Sequence, residues 1–233
     1  MRTLLLCAML AFAVGCEKQP EQPGAAPPVA TLGTDWIVLF DGTSTDAFRG
    51  FEQDAMPPGW EIVDGALHQA QPGRGGDIVT REQFRDFELE FEWKLAEGGN
   101  SGVMFRVSED HDNPWVTGPE YQLLDNNGHP DQLEGPDRLA AANYDVHPSD
   151  PAAAKPAGEW NSGRLVVQGT HVEHWLNGQK VVEYELFSPE WTAAVAASKW
   201  ADNSNYGREE TGHIAFQGDH EQVWLKNVRI KPL

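Results

Sequence analysis

Cysteine is nearly missing from this chain of 233 residues, and the two present, Cys7 and Cys16, both fall within its first sixteen positions. Everything beyond them lacks both a disulfide and a thiol nucleophile. Basic residues are scarce as well: 17 Lys and Arg stand against 36 Asp and Glu, a formal net charge of −19. Such a surface repels phosphate, which excludes nucleic acid as a partner. No long apolar run follows residue 15, so nothing there reads as a membrane-spanning helix. His-x-x-x-His, paired-cysteine, serine-elbow and phosphate-cradling glycine motifs are absent too. What abounds is glycine and proline, 23 and 16 residues, which favours many turns over long helices. The length suits one domain and is thin for two.

The first fifteen residues read as a targeting segment. Arg2 is its positive start and Leu4 to Phe12 its apolar stretch, and Ala13-Val14-Gly15-Cys16 resembles the lipobox of bacterial lipoproteins. Acylation of Cys16 gives an anchor of several chains, which holds a bilayer where one chain binds marginally. Glu17 at the next position fits release to an outer membrane. Lys18 to Thr34 places Pro20, Pro23, Pro27 and Pro28 among Gln, Glu, Gly and Ala, an extended spacer. The expected organisation is a signal peptide over 1–15, a lipidated cysteine and tether over 16–34, and one domain over 35–233. The protein is then anchored through lipid in the bacterial cell envelope, facing periplasm or surface.

Apolar periodicity in the domain is that of strands. Phe87 to Leu95 alternates apolar and charged residues without a break, its odd positions inward. Gly98-Gly99-Asn100 turns the chain as a first hairpin, and Val103, Phe105 and Val107 resume an inward face. Val172 to Leu176, Asn177-Gly178, and Gln179 to Tyr184 form a hairpin, because Asn-Gly tolerates positive φ at both turn positions. Arg164 to Gln168 precedes it as a third antiparallel strand. Near the end, apolar parity switches from Val223 and Leu225 to Val228 and Ile230, which predicts a β-bulge at Lys226-Asn227. One helix is expected, capped by Ser188, with Pro189 in its first turn and Glu190 to Trp200 as its body. About ten strands and one late helix make an all-β sandwich of two antiparallel sheets. The long excursion Asn126 to Pro156 is the length of loop that usually carries function.

Several strands turn polar side chains to one face. Glu120 and Gln122 lie opposite Tyr121 and Leu123; His213 and Gln217 lie opposite Ile214 and Phe216; Arg106 lies opposite Phe105. Asp219-His220 follows at once. Acid, amide, imidazole and guanidinium groups on one surface suit a polyhydroxylated ligand, with Trp115, Tyr144, Trp160 and Trp200 as loop aromatics to cover a sugar's C–H face. Asp110-His111-Asp112 and Asp125 to Asp131 offer oxygen ligands to a divalent cation, though neither has an EF-hand register. Spacing alone reaches a secreted, carbohydrate-facing sandwich.

Six motifs in order carry a resemblance further. They are Val38-Leu39-Phe40-Asp41-Gly42-Thr43, Asn100-Ser101-Gly102-Val103-Met104-Phe105-Arg106, Gly118 to Asn126, Pro156 to Asn161, His174 to Gly178, and Gln217-Gly218-Asp219-His220 followed by Lys226 to Ile230. Together they resemble the 3-keto-disaccharide hydrolase domain family from about Thr34 to Leu233. The resemblance implies a concanavalin A-like jelly roll and cleavage of 3-keto-glycosides: a base takes the acidic C2 proton, and the C1 substituent departs by elimination, with or without re-addition of water. It implies Glu120 or His220 as base with the other assisting the leaving group. Lys199, Arg106 or a bound divalent cation would stabilise the enediolate, and Gln122, Asn161 and Gln217 would position hydroxyls. Asp125, Tyr144, Trp160 and His213 complete the candidate substrate-binding set. Glu221 and Trp224 stand where the family usually has Gly and Phe, which bears on substrate range. The rival reading is a non-catalytic carbohydrate-binding module, since this fold also serves lectins.

Overall fold

A computed structural model describes residues 36–71 and 73–233; the expectations for the signal peptide, Cys16 and the tether lie outside those residues. The strands are β1 (Ile37–Phe40), β2 (Phe48–Gly50), β3 (Trp60–Val63), β4 (Ala66–Gln69), β5 (Ile78–Thr80), β6 (Phe87–Leu95), β7 (Asn100–Val107), β8 (Glu120–Leu124), β9 (Asn161–Gln168), β10 (His171–Leu176) and β11 (Gln179–Glu185). The helix α1 (Pro189–Ala197) precedes β12 (His213–Phe216) and β13 (Val223–Pro232). One antiparallel sheet runs β11-β10-β9-β6-β13-β4-β3, with β1 also on β13; the other runs β2-β5-β12-β7-β8. The two pack face to face as a jelly-roll sandwich.

Local sequence accounts for most elements. The alternation of β6 appears as alternating burial along all nine of its residues. Asn177 and Gly178 take φ of 49° and 84° between β10 and β11, the left-handed pair that an Asn-Gly hairpin demands. The Ser188 side chain accepts a hydrogen bond from Trp191 N, and α1 stops at Ala197, three residues before the expected end, because Ser198 N turns back to Val195 O. The expected bulge is present: pairing of β13 with β6 shifts between Lys226 and Arg229, and Asn227 takes φ of 50°.

The core lies between the sheets. Phe87 and Phe91 of β6 meet Phe105, Tyr121 and Phe216 of the other sheet edge to face, at centroid distances of 5.4–6.4 Å. Tyr121 also donates its hydroxyl proton to Trp175 O, which links β8 to β10.

Two expectations are corrected. Gly98 to Asn100 does not close a hairpin: β6 and β7 belong to different sheets, and the turn carries the chain across the sandwich. Parity along β7 also breaks. Arg106 takes φ of 53°, and β7 spends three residues from Met104 to Val107 where β12 spends two from Ala215 to His213. This bulge turns Val107 outward to join Met104 and Ala215, and it turns Arg106 away from the outer face.

The excursion after β8 returns to it. Ala141 N donates to Gln122 O, Gln122 N to Ala142 O and Tyr144 N to Glu120 O, so residues 141–144 lie along the free edge of β8. Buried His174 holds Ala141 O through Nδ1 at 2.9 Å. Stacked rings run from His147 and Tyr184 through Trp191 and Tyr206 to Trp200, bracing excursion and helix together.

Candidate active site

On the outer face of the smaller sheet, β7, β8, the excursion, the segment after α1 and the loop after β12 enclose a cavity of about 900 Å³. Its lining includes six of the eleven candidate catalytic and substrate-binding residues, Glu120, Gln122, Tyr144, Lys199, Gln217 and His220, with the loop aromatics Trp115 and Trp200 and with Asp219 beside them.

Glu120 sits at the deep end, 5% exposed. It faces outward from β8 across Met104 and lies over Gly102, where a Cβ would come within 1.9 Å of Glu120 Oε1. Only glycine leaves room for the carboxylate there. Among the described residues its side chain has no hydrogen-bond partner. Burial pushes the carboxyl up to about 8; the Lys199 ammonium pulls it down, and the charges of Asp77, Asp219 and Asp131 add to the rise. Burial likewise lowers Lys199, which Glu120 counteracts. Each member of this pair is pressed toward neutrality by desolvation and drawn part of the way back by the charge of the other.

Lys199 is not a helix-terminal charge in the usual sense. Having left α1 at Ser198, it donates its backbone N–H to Asp145, and its Nζ lies 3.9 Å from the Tyr144 ring centroid and 4.4 Å from that of Trp200. Cation–π contact with both rings holds the ammonium in the cavity lining, within electrostatic reach of Glu120. Tyr144 is itself fixed, donating to Asp131 Oδ2 and accepting from Arg138 Nη1. Burial, with the Asp131 carboxylate beside it, raises its phenol, which stays protonated.

Gln122 donates to Asn100 Oδ1 at 3.3 Å, while its Oε1 is buried with no partner among the described residues. A buried amide oxygen in this state is an acceptor waiting for a hydroxyl. The loop bearing Gln217 and His220 is gripped along its backbone. Ser101 Oγ donates to Gln217 O, Gln217 N to Gly102 O, Gly218 N to Asp77 Oδ1, Gln69 Nε2 to Gly218 O and Gly73 N to His220 O. Burial pushes Asp77 up to about 6. The His220 ring is exposed at the rim, its Nε2 3.8 Å from Asp219 Oδ1.

Five of the named residues lie elsewhere, each for a physical reason. The bulge sends Arg106 to Arg85 O and Gly169 O, at 3.0 and 2.8 Å, where it ties β7 to the opposite sheet. His213 does face outward, but its Nδ1 is bound to Thr80 O and its Nε2 is covered by Gln83 and Arg49. Asp125 accepts from Gly98 N and Asn127 N and so closes turns. Trp160 lies on the larger sheet beneath Lys94 and Lys226. Asn161 accepts from Lys155 N and Asn177 Nδ2 at the end of the hairpin. Of the candidate cation ligands, Asp110, Asp125 and Asp131 are engaged by Ser108, Gly98 and Tyr144. Among the described residues, the one cluster of three potential metal ligands is His171, Glu173 and Glu183, remote from the cavity on β10 and β11, with Lys180 Nζ already paired to both glutamates.

Sequence reasoning missed Asn100, His129, Asp202 and Asn203 as lining residues. Asn100 stood in a recognised motif; the other three are loop residues with no periodicity to mark them.

The sequence matches the family described as 3-keto-alpha-glucoside-1,2-lyase-like domain over residues 35–231. It is 37% identical over 245 residues to a 3-keto-disaccharide hydrolase of Bacteroides thetaiotaomicron, covering 93% of this chain and 84% of that protein. Among solved structures, a presumed glycosyl hydrolase from Parabacteroides distasonis superposes with a TM-score of 0.78 at 32% identity, over 85% of this chain and 94% of that one. A second from the same organism gives 0.66 at 25% identity, over 85% and 100%.

Proposed function

The chain belongs to the 3-keto-alpha-glucoside-1,2-lyase-like domain family, and from that membership we propose that it cleaves glycosides oxidised at C3 of the sugar, by proton abstraction at C2 and elimination at C1. The observation that carries the reading is Glu120: a buried carboxylate, free of hydrogen-bond donors among the described residues, facing a polar cavity and raised by burial. A base of raised pKa suits removal of a proton from carbon, because its conjugate acid is a weaker acid than an ordinary carboxyl.

In this reading the ionised Glu120 takes the C2 proton, and the C–H electrons move into the C2–C3 bond while O3 gains charge. Lys199, held as the ammonium between its two rings, offsets that charge in a poorly solvated site. Gln122 Oε1 accepts from a sugar hydroxyl. The enediolate then expels the C1 oxygen, which takes a proton from His220 at the rim. Water adding across the unsaturated product gives net hydrolysis; without it the outcome is that of a lyase. An inverting or retaining glycosidase would need two opposed carboxylates, and this chemistry does not.

The test uses the domain with a glucoside and its 3-keto counterpart in D₂O, followed by NMR with and without chelator. Deuterium at C2, or loss of the aglycone, is expected from the keto sugar alone. Glu120→Gln should lower kcat by about 10²–10⁴. The assignment fails if Glu120→Gln and His220→Ala both turn over at the full rate. Chelator sensitivity would add a metal to the site. kcat/KM should rise with pH as Glu120 ionises, well above the range of an ordinary carboxyl, and fall again at a pH below the ordinary lysine value as Lys199 loses its proton. A flat profile contradicts the pair.

A further inference from the structure

Depth orders this cavity. Its reactive end, at Glu120 and Gln122, is buried, so a sugar presenting C2 to Glu120 must point its C1 substituent toward the mouth. At about 900 Å³, the cavity is near the upper end of the ~300–1,000 Å³ usual for small-molecule sites, with room for a sugar and a second ring. At the mouth stands Trp115, 39% exposed in a surface where large apolar side chains are mostly covered. It is fixed in place: the short 3₁₀ turn Pro114–Val116 carries it, Asn203 Nδ2 donates to Val116 O at 2.9 Å, and its ring meets Trp200 at 6.0 Å and 34°. The charged lining of the cavity is mostly acidic. Asp131, Asp202 and Asp219 all line the cavity, and among the described residues the one Lys or Arg in the lining, Lys199, is held between two rings and coupled to Glu120.

We infer that the mouth of the cavity is a leaving-group subsite that takes an uncharged planar ring on Trp115 and turns away anionic aglycones. The inference rests on the reading of Glu120 as the C2 base, which sets the orientation of the sugar. Ring stacking supplies the attraction, and the three carboxylates supply the discrimination. The discrimination is electrostatic across a solvated mouth, so salt weakens it.

Calorimetry with three unoxidised probes separates this from the catalytic claim: methyl glucoside, phenyl glucoside and 4-carboxyphenyl glucoside, with kcat/KM measured in parallel on their 3-keto forms. The phenyl glucoside should bind about tenfold tighter than the methyl glucoside, a preference that falls toward one in Trp115→Ala and is partly kept in Trp115→Tyr. The carboxyphenyl probe should bind several-fold more weakly than the phenyl one, the gap closing in the Asp202→Asn/Asp219→Asn double variant and at about 0.5 M salt. Equal affinities for the methyl and phenyl probes, a preference that survives in a folded Trp115→Ala, or no binding of any probe overturns the subsite. Probe binding as expected without cleavage of any keto form sinks the catalytic reading and with it the leaving-group role, leaving only an aryl-binding site at Trp115; cleavage with no phenyl preference keeps the catalytic reading and overturns the subsite.

Discussion

Glu120 shows function and stability opposed in one side chain. Its carboxyl has an ordinary value of 4.5 and stands near 8 in the folded protein. The folded state therefore binds a proton more tightly than the unfolded state, and the contribution to stability, complete below about 4.5, is lost as pH rises through about 8. At neutral pH the unfolded chain gains by ionising this carboxyl while the folded one holds its proton, so a base poised in a dry site costs stability. Glu120→Gln is thus expected to raise the thermal midpoint relative to wild type at pH 8, with little difference at pH 4, while activity collapses. Calorimetric melts at the two pH values check it, and an equal or lower midpoint at pH 8 contradicts the burial argument. Gly102 belongs to the same account, since a single methyl group there enters the space of Glu120 Oε1.

At the scale of elements, the bulge in β7 decides what Arg106 is for. Its guanidinium is 3% exposed and satisfies two carbonyls, Arg85 O in the loop before β6 and Gly169 O in the turn between β9 and β10. Arg106→Ala leaves both without that donor, which should destabilise the fold by about 2–3 kcal/mol while kcat on a keto glycoside stays at the wild-type value. Urea unfolding alongside turnover tests this; a selective loss of kcat in a stable variant would return Arg106 to the substrate. The loop carrying Gln217 and His220 is the opposite case, an irregular segment made rigid by backbone bonds to Gly102, Asp77, Gln69 and Gly73. Asp77→Ala releases Gly218 N and should lower kcat more than it raises KM, because it is the presentation of His220 that loosens.

At the scale of the whole molecule, the remaining question is where the domain is held. We propose that Cys16 is acylated and that residues 16–34 tether the domain to the cell envelope, on the strength of the Ala13-Val14-Gly15-Cys16 pattern and the proline-rich spacer. Expressed at full length, the protein should sediment with membranes, take up labelled palmitate and need detergent for release. Cys16→Ser should be soluble and unlabelled, with unchanged turnover of the keto sugar. A Cys16→Ser protein that still sediments ends the proposal.

The sequence by itself determined the features whose cause is local. Alternation placed β6, Asn177-Gly178 the hairpin, Ser188 and Pro189 the start of α1, and a parity switch the bulge at Asn227, because each follows from torsional preference or from water on one face of a strand. Glu120 and Gln122 were legible for the same reason: two polar residues spaced by two on an otherwise apolar strand. Tertiary structure decided everything that depends on neighbours far along the chain. Strand parity tells which face a residue takes but not which sheet the strand joins, so Trp160 and Asn161 went to the larger sheet. Nor does parity tell whether an outward face stays open, and His213 ended beneath Arg49 and Gln83. His129, Asp202 and Asn203 reach the cavity from loops, where side-chain direction has no period. The coupling of Glu120 to Lys199 is likewise a product of the fold alone. A carboxylate and an ammonium 79 positions apart acquire shifted proton affinities only when packing removes the water from both.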